Sequence, residues 1–168
     1  MKSRNFIIKT VLLVFVIALT ISCKEAKNNM DLNSINIAQN EEDFTVLLQE
    51  HLRAVTNKDL ERLKTTLSPI GNMELIQPSM EIIYTVDGFL KFHEDFFKDV
   101  NSTLNFKIMS KSVGNKIGVA TTEAIYREVN RNGKPYFNRL TVTYTLEKIN
   151  QKWYVIKDHA SSIEKTIY

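Results

Sequence analysis

The segment that decides the fold is residues 117–146, IGVATTEAIYREVNRNGKPYFNRLTVTYTL. Its two halves each alternate apolar and polar side chains over many residues, the pattern of β-strands that bury one face. Between them stands Asn132-Gly133, a dipeptide that favours the two-residue type I′ turn of a β-hairpin. The segment therefore predicts two long antiparallel strands joined by a tight turn.

The turn also predicts which residues face each other across the hairpin. If Arg131 faces Lys134, then Thr121 faces Tyr144 and Glu123 faces Val142. One face of the hairpin then carries mainly apolar side chains: Val119, Thr121, Glu123, Ile125, Leu140, Val142, Tyr144 and Leu146. We expect this face to point inward and the opposite, threonine-rich face to point outward.

The same alternation extends to both sides of the hairpin, over residues 104–113 and 152–161. Asn150-Gln151 predicts a second tight turn before the last strand. With a two-residue turn there, His159 faces Val142 and joins the inner face. A β-bulge between Trp153 and His159 would instead turn His159 outward and bring Asp158 or Ala160 inward. Both arrangements fit the sequence.

Helices are predicted before these strands. Apolar residues recur at helical spacing over residues 44–55, with Asn40 as a candidate N-cap, and Asp59 can cap a short second helix. Short strands are expected on both sides of Gln77-Pro78-Ser79. A third helix is expected to begin at Thr85 or Asp87 and to carry an apolar stripe over residues 89–100. Helices followed by a long meander predict an α+β fold, in which a curved antiparallel sheet wraps around about three N-terminal helices.

This order of elements resembles the nuclear transport factor 2-like superfamily, particularly its SnoaL-like branch, over residues 41–164. The most similar pieces are KWYVIKDHAS at residues 152–161 and TVDGF at residues 85–89. The resemblance implies a cone-shaped barrel around an apolar pocket, and dimerisation through the outer face of the sheet. It also implies either ligand or partner binding, or the chemistry of an isomerase, cyclase or dehydratase.

The N-terminal residues predict export. Residues 1–22 carry three cations followed by an apolar run from Val11 to Ile21, the layout of a secretory signal. LTISC at residues 19–23 resembles the bacterial lipobox, which implies cleavage before Cys23 and a lipid on it. An ordinary signal peptide with a chance cysteine is the alternative. Cys23 is the single cysteine of the chain, so no intramolecular disulfide can form.

These features predict three segments: a lipoprotein signal peptide over residues 1–22, a lipidated cysteine with a flexible tether over residues 23–40, and one domain over residues 41–168. We expect the mature protein in the cell envelope, anchored by its lipid to a bacterial membrane and facing the periplasm or the cell surface.

Composition argues against several functions. Three of the 22 Lys and Arg residues lie in residues 1–23, which leaves 19 cations against 19 Asp and Glu. This balance gives no basis for nucleic-acid binding, which needs a clustered basic face. The sequence has no His-Glu-x-x-His, His-x-His, phosphate-loop or Gly-x-Ser-x-Gly pattern. We therefore predict no metal, no cofactor and no nucleic-acid partner.

The candidate site follows from the predicted inner face. Glu123 and His159 are candidates for proton transfer, because a carboxyl or imidazole among apolar neighbours has a shifted pKa. The candidate pocket residues are His51, Phe92, Phe96, Thr121 and Tyr144. The structural alternatives are a strand charge exposed at the edge of the pocket for Glu123, and satisfied core residues for the histidines and phenylalanines.

The sequence places one carboxylate in the pocket, whereas proton-transfer catalysis calls for two converging titratable groups. The leading hypothesis is therefore a membrane-anchored domain that binds a small, largely apolar ligand or a protein partner without turnover. The alternative is an isomerase, cyclase or dehydratase that uses a pocket carboxylate or histidine. A third hypothesis is an interaction module that forms a homodimer through the threonine-rich outer face of the sheet.

Overall fold

A computed structural model describes residues 36–167 of the chain. Contacts group Asn40–Tyr168 into one compact unit, which contains the sheet. The predictions for the signal peptide, for Cys23 and for the tether as far as residue 35 fall outside the described residues and stay predictions. Residues 36–40, which the composition assigns to the tether, belong to the first helix.

Three helices and six strands make up the described fold. The helices are α1 over residues 36–56, α2 (Leu60–Thr65) and α3 (Val86–Phe97). The strands are β1 (Asn72–Ile76), β2 (Ile83–Thr85), β3 (Ser102–Val113), β4 (Ile117–Arg131), β5 (Lys134–Ile149) and β6 (Lys152–Lys165). Two of the predicted caps are present: Asp59 accepts a hydrogen bond from the Arg62 backbone N–H, and Thr85 accepts one from the Gly88 backbone N–H.

The six strands form one sheet in the order β2-β1-β6-β5-β4-β3. Neighbouring strands are antiparallel except β1 and β6, which pair in parallel. The predicted α+β fold is confirmed, and the parallel pair makes the sheet mixed. The pair arises because β1 lies far ahead of β6 in the chain, so that the two are joined by a crossover and not by a hairpin.

Both predicted hairpin turns are present. Asn132 and Gly133 have φ values of 56° and 87°, and Asn150 and Gln151 have φ values of 49° and 65°. Two successive positive φ values are those of a type I′ turn, which matches the twist of the flanking strands. Arg131 faces Lys134 across the first turn, as predicted.

The predicted register fails just beyond this turn, because β4 has a bulge between Glu128 and Arg131. The extra residue moves the pairing by one, so Glu123 faces Thr141 and Ala120 faces Tyr144. Since side chains alternate along a strand, a one-residue shift turns every β4 side chain to the other face. The predicted faces of β5 are right, and those of β4 are wrong.

A second bulge lies in β6. Leu146 faces Val155, whereas the preceding residue, Thr145, faces Lys157. The extra residue turns Asp158 inward and His159 outward, which is the bulged arrangement that the sequence left open. Asp158 then lies opposite Tyr144 in the register.

The core lies between the helices and the inner sheet face. At the end of the sheet near Asn150-Gln151 the ring of Phe44 meets Trp153 edge-on at 5.3 Å, and Trp153 Nε1 donates a hydrogen bond to the Asn40 carbonyl. Asn40 is not an N-cap as predicted but a residue within α1, and its side chain donates to the Gly114 carbonyl. Packing at this end is tight.

Candidate functional site

A cavity of about 280 Å³ lies between α3 and the half of the sheet nearer the Asn132-Gly133 turn. Its aromatic lining residues are Phe92, His93, Phe96, Phe106, Tyr126 and Tyr144. Its polar lining residues are Gln77, Arg131, Asn138 and Asp158. The volume is at the lower end of the range for small-molecule sites, and the mixture of apolar walls with few polar groups is typical of them.

Asp158 is the carboxyl group of the cavity. The β6 bulge turns it inward, the residue is 4% exposed, and its Oδ1 has no hydrogen-bond partner within residues 36–167. Burial raises its pKa to about 7, because the charged form loses the solvation of water. Near neutral pH this carboxyl group is therefore able both to give and to take a proton.

Tyr144 stands across the strands from Asp158 and lines the same cavity. Burial, and next the charge of Asp158, raise the pKa of Tyr144 well above its usual value. The phenol therefore stays protonated and can donate a hydrogen bond to a bound molecule. Tyr144 and Asp158 together give the cavity a neutral donor beside a titratable acid.

His93 is a cavity residue that projects from α3. Its Nδ1 lies 3.0 Å from the carbonyl oxygen of Phe89, a pure acceptor, so Nδ1 carries the proton. The other ring nitrogen, Nε2, is left to accept a hydrogen bond. Burial lowers the pKa of His93 to about 4, which keeps the imidazole neutral at physiological pH.

His51 lies behind the cavity wall, with its ring 5.3 Å from that of Tyr144. Thr66 donates its hydroxyl proton to the Leu63 carbonyl and so accepts from His51 Nδ1 at 2.8 Å. Burial, and next the neighbouring His93, lower the pKa of His51 to about 3. Its Nε2 is buried and has no partner in the described part of the chain.

Arg131 lines the cavity next to the Asn132-Gly133 turn. Its guanidinium donates two hydrogen bonds to the Glu128 carboxylate, and the bond from Nε to Oε2 is 2.9 Å long. The guanidinium carbon lies 3.4 Å from the centre of the Tyr136 ring. Tyr126 donates to the same carboxylate. The charge of Arg131 is thus balanced by Glu128, and its planar group is fixed between an acid and an aromatic ring.

Solved structures with the same arrangement of elements come from several organisms. A candidate dehydratase of the NTF2-like family from Streptomyces avermitilis has a TM-score of 0.64 at 13% identity, over 75% of this chain and 97% of that one. A ketosteroid isomerase-like protein from Erwinia carotovora has a TM-score of 0.62 at 13% identity, over 72% and 94%. The chain has the NTF2-like fold.

The association domain of CaMKII from C. elegans is also similar in structure, with a TM-score of 0.55 at 18% identity, over 74% of this chain and 95% of that one. No family model matches the sequence, and no curated protein matches it significantly. At these identities the likeness establishes the fold and leaves the activity open.

Some of the predicted site residues lie at the cavity, and others lie on the outer face of the sheet. Phe92, Phe96 and Tyr144 line the cavity, and His51 lies against Tyr144 behind it. Thr121 and Glu123 lie on the outer face of the sheet.

The predicted inward placement of Glu123 and Thr121 is wrong, because the β4 bulge reverses that strand. Glu123 instead contacts Arg139, with 3.4 Å between Oε2 and Nη1. His159 is exposed because of the β6 bulge, so the prediction of His159 as a proton-transfer residue on the inner face is wrong as well.

Sequence reasoning missed Asp158 as the principal acid, although it named this residue as the result of a bulge. The sequence places His93 on the apolar stripe of the third helix, where a core position was the favoured interpretation and His51 was the preferred pocket residue. Both were within reach of the sequence: Asp158 is an acid in the last strand's long apolar alternation, and His93 interrupts a run of phenylalanines.

Within residues 36–167 no group of three or more His, Cys, Asp or Glu side chains is arranged to hold a metal ion. Over the same residues, no helix has the length and apolar character needed to cross a membrane.

Proposed function

We propose that this protein is a lipid-anchored NTF2-like domain that binds a small, largely apolar molecule in its cavity without turnover. The observation that carries the proposal is a cavity with aromatic walls around a buried carboxyl group whose Oδ1 has no partner. A buried polar atom without a partner costs about 1 to 3 kcal/mol. A ligand that hydrogen-bonds to Asp158 would offset this cost.

A cavity-filling variant tests the binding proposal. Ala124 lines the cavity and is almost fully buried, so the side chain introduced by Ala124→Leu would occupy the cavity. Native mass spectrometry of the full-length chain, purified in mild detergent from its own cells, should show a bound small molecule. Ala124→Leu should lose it, and the outer-face variant Val119→Leu should keep it. Equal occupancy in Ala124→Leu and wild type would contradict the proposal.

The anchoring part of the proposal rests on the sequence around Cys23. A lipid on this cysteine would hold the protein in the cell envelope, on a bacterial membrane, facing the periplasm or the cell surface. Cys23→Ser should abolish incorporation of labelled palmitate and release the protein from the membrane fraction. Retention of this variant in the membrane pellet, at the wild-type level, would contradict the anchor.

Proton transfer is a second candidate function, and Asp158 is the observation that favours it. A catalytic acid or base works best when its pKa lies near the operating pH, and burial brings the pKa of Asp158 to about 7. Tyr144 could polarise a carbonyl oxygen beside it. The likeness to a ketosteroid isomerase-like protein and a candidate dehydratase supports this class of chemistry.

An assay with a generic ketone, which does not require the natural substrate, tests for proton transfer. A proton-transfer site should catalyse exchange of hydrogen for deuterium next to the carbonyl of a small cyclic ketone in heavy water, followed by NMR. Asp158→Asn should slow this exchange by about a hundredfold or more, as loss of a general base does. Exchange no faster than in buffer would remove catalysis from consideration and leave binding.

We also propose that two copies associate through the outer sheet face, where Thr141, Thr143 and Thr145 project. The likeness to an association domain supports a second copy as the occupant of this face. Analytical ultracentrifugation of the full-length chain in detergent should give a dimer, and Thr143→Arg should give a monomer. A monomeric wild-type protein at micromolar concentration would overturn this part.

A further inference from the structure

The open hydrogen-bonding groups of the cavity are mostly acceptors. Oδ1 of Asp158 and Oδ1 of Asn138 are buried acceptors that have no partner among residues 36–167. His93 lines the same cavity, and its Nε2 can only accept a hydrogen bond, because the ring proton lies on Nδ1. A molecule that satisfies these atoms must bring hydrogen-bond donors.

The Asp158 carboxyl also has no counter-charge. Arg131 is the strongly basic side chain on the lining, and it already shares two hydrogen bonds with Glu128 and stacks on Tyr136. Burial is what shifts the pKa of Asp158, and no basic group of the described chain acts against it. An acid buried without a cation is stabilised in its charged form by any cation that reaches it.

The walls around this acid are aromatic. Phe92, Phe96, Phe106, Tyr126 and Tyr144 line the cavity with Asp158. The faces of aromatic rings attract organic cations, and the attraction grows when the cation is desolvated. The combination of an unpaired carboxylate, open acceptors and aromatic walls is suited to an ammonium group with an apolar substituent.

We propose that the cavity binds a small apolar primary amine in its protonated form, with the ammonium group on Asp158 and the apolar part among the aromatic rings. This inference rests on the proposed function, since it names the chemical class of the cavity ligand. An ammonium group supplies three donors and the missing charge. At a pH where Asp158 is ionised, its carboxylate repels an anionic ligand.

A matched series of probes tests the charge preference. Phenethylamine, phenethyl alcohol and phenylacetate share a ring and a chain of similar length and differ in charge. Titration calorimetry of the full-length chain in detergent at pH 8, where Asp158 is ionised, should show the amine binding at least tenfold more tightly than the alcohol. Phenylacetate should not bind measurably.

Two variants separate the site from non-specific uptake by the detergent. Asp158→Asn keeps the shape of the side chain and should reduce the preference for the amine over the alcohol to less than about twofold. Glu123→Gln removes a carboxylate from the outer face and should leave the preference at its wild-type value. Circular dichroism checks that both variants are folded.

The outcomes distinguish this inference from the proposed function. If the alcohol binds wild type as tightly as the amine, or if Asp158→Asn keeps the preference, the amine assignment is overturned and small-molecule binding stands. If none of the probes binds and the neutral dye Nile red does not bind either, both the amine assignment and the cavity's binding function are overturned.

Discussion

The two halves of the inner sheet face differ in how they are filled. Near the Asn150-Gln151 turn, Trp153 and Phe44 are in edge contact, and a Cβ atom added to Gly118 would lie 2.5 Å from the Phe44 ring. Near the Asn132-Gly133 turn, the same strands border a cavity of about 280 Å³. One half is a packed core, and the other is hollow.

The difference lies in how the polar atoms of each half are satisfied. In the packed half, Trp153 Nε1 donates to the Asn40 carbonyl, and Lys148 donates to the Asn40 side chain. In the hollow half, Asp158 and Asn138 each have a buried oxygen without a partner in the described chain. Stability is concentrated where groups are paired, and the unpaired groups lie where a ligand can enter, as expected when function and stability compete.

The largest effect should come from removing the indole of the packed half. Trp153→Ala should lower the free energy of unfolding by about 3 to 5 kcal/mol, because it removes a fully buried ring and leaves a void. Phe92→Ala in the hollow half should cost clearly less, since one side of that ring already borders empty space. Urea denaturation of both variants measures the contrast. Equal losses would mean that the two halves are packed alike.

The second effect concerns Asp158 and depends on pH. Its pKa is 3.8 in the unfolded chain and about 7 in the folded one, so the unfolded state gives up its proton first. The resulting destabilisation is absent below pH 3.8, grows as pH rises, and is complete above about pH 7. At 1.36 kcal/mol per pKa unit it reaches about 4 kcal/mol at pH 8 and stays under about 2 kcal/mol at pH 5.

Urea denaturation at pH 5 and pH 8 gives the free energy of unfolding of Asp158→Asn and of wild type. The value for Asp158→Asn minus that for wild type should be about 3 kcal/mol larger at pH 8 than at pH 5. His51 and His93 have lowered pKa values, so they destabilise the fold as pH falls below 6.5, in wild type and variant alike. Their contribution cancels in the difference. A difference that does not change with pH would mean that Asp158 is exposed to solvent.

The third effect compares added volume in the two halves. Gly118→Ala places a methyl group against the Phe44 ring and should cost about 1 to 3 kcal/mol through overpacking. Ala124→Leu adds three carbons in the hollow half and should cost less, because the cavity accommodates them. Thermal unfolding of the two variants measures this. A larger loss in Ala124→Leu would show that the hollow half does not accept additional atoms.

Much of the fold could be predicted from the sequence, because its signals are local. Alternation, the Asn132-Gly133 turn and the helical stripes each depend on residues close in the chain, and they gave the α+β order and the inner face of β5. The site could not be predicted to the same extent. The β6 bulge turns Asp158 into the cavity, and the β4 bulge turns Glu123 out of it. A bulge is a choice between registers that differ by one residue, and no dedicated residue type marks it.

The smallest effect is expected at Glu123, the carboxylate that the register without the β4 bulge would place in the cavity. Glu123 is paired with Arg139 on the outer face, and Arg139 also contacts Glu164 at 3.2 Å. Pairs this exposed contribute about 0 to 1 kcal/mol, and the second acid still holds the guanidinium when the first is neutralised. Glu123→Gln should therefore change the free energy of unfolding by less than about 1 kcal/mol and leave ligand affinity within twofold of wild type. Urea denaturation and calorimetry measure both quantities. A tenfold loss of affinity would place Glu123 at the cavity. Because neighbouring residues of a strand point to opposite faces, Ala124 would then lie outside the cavity lining. That result would favour the register without the β4 bulge.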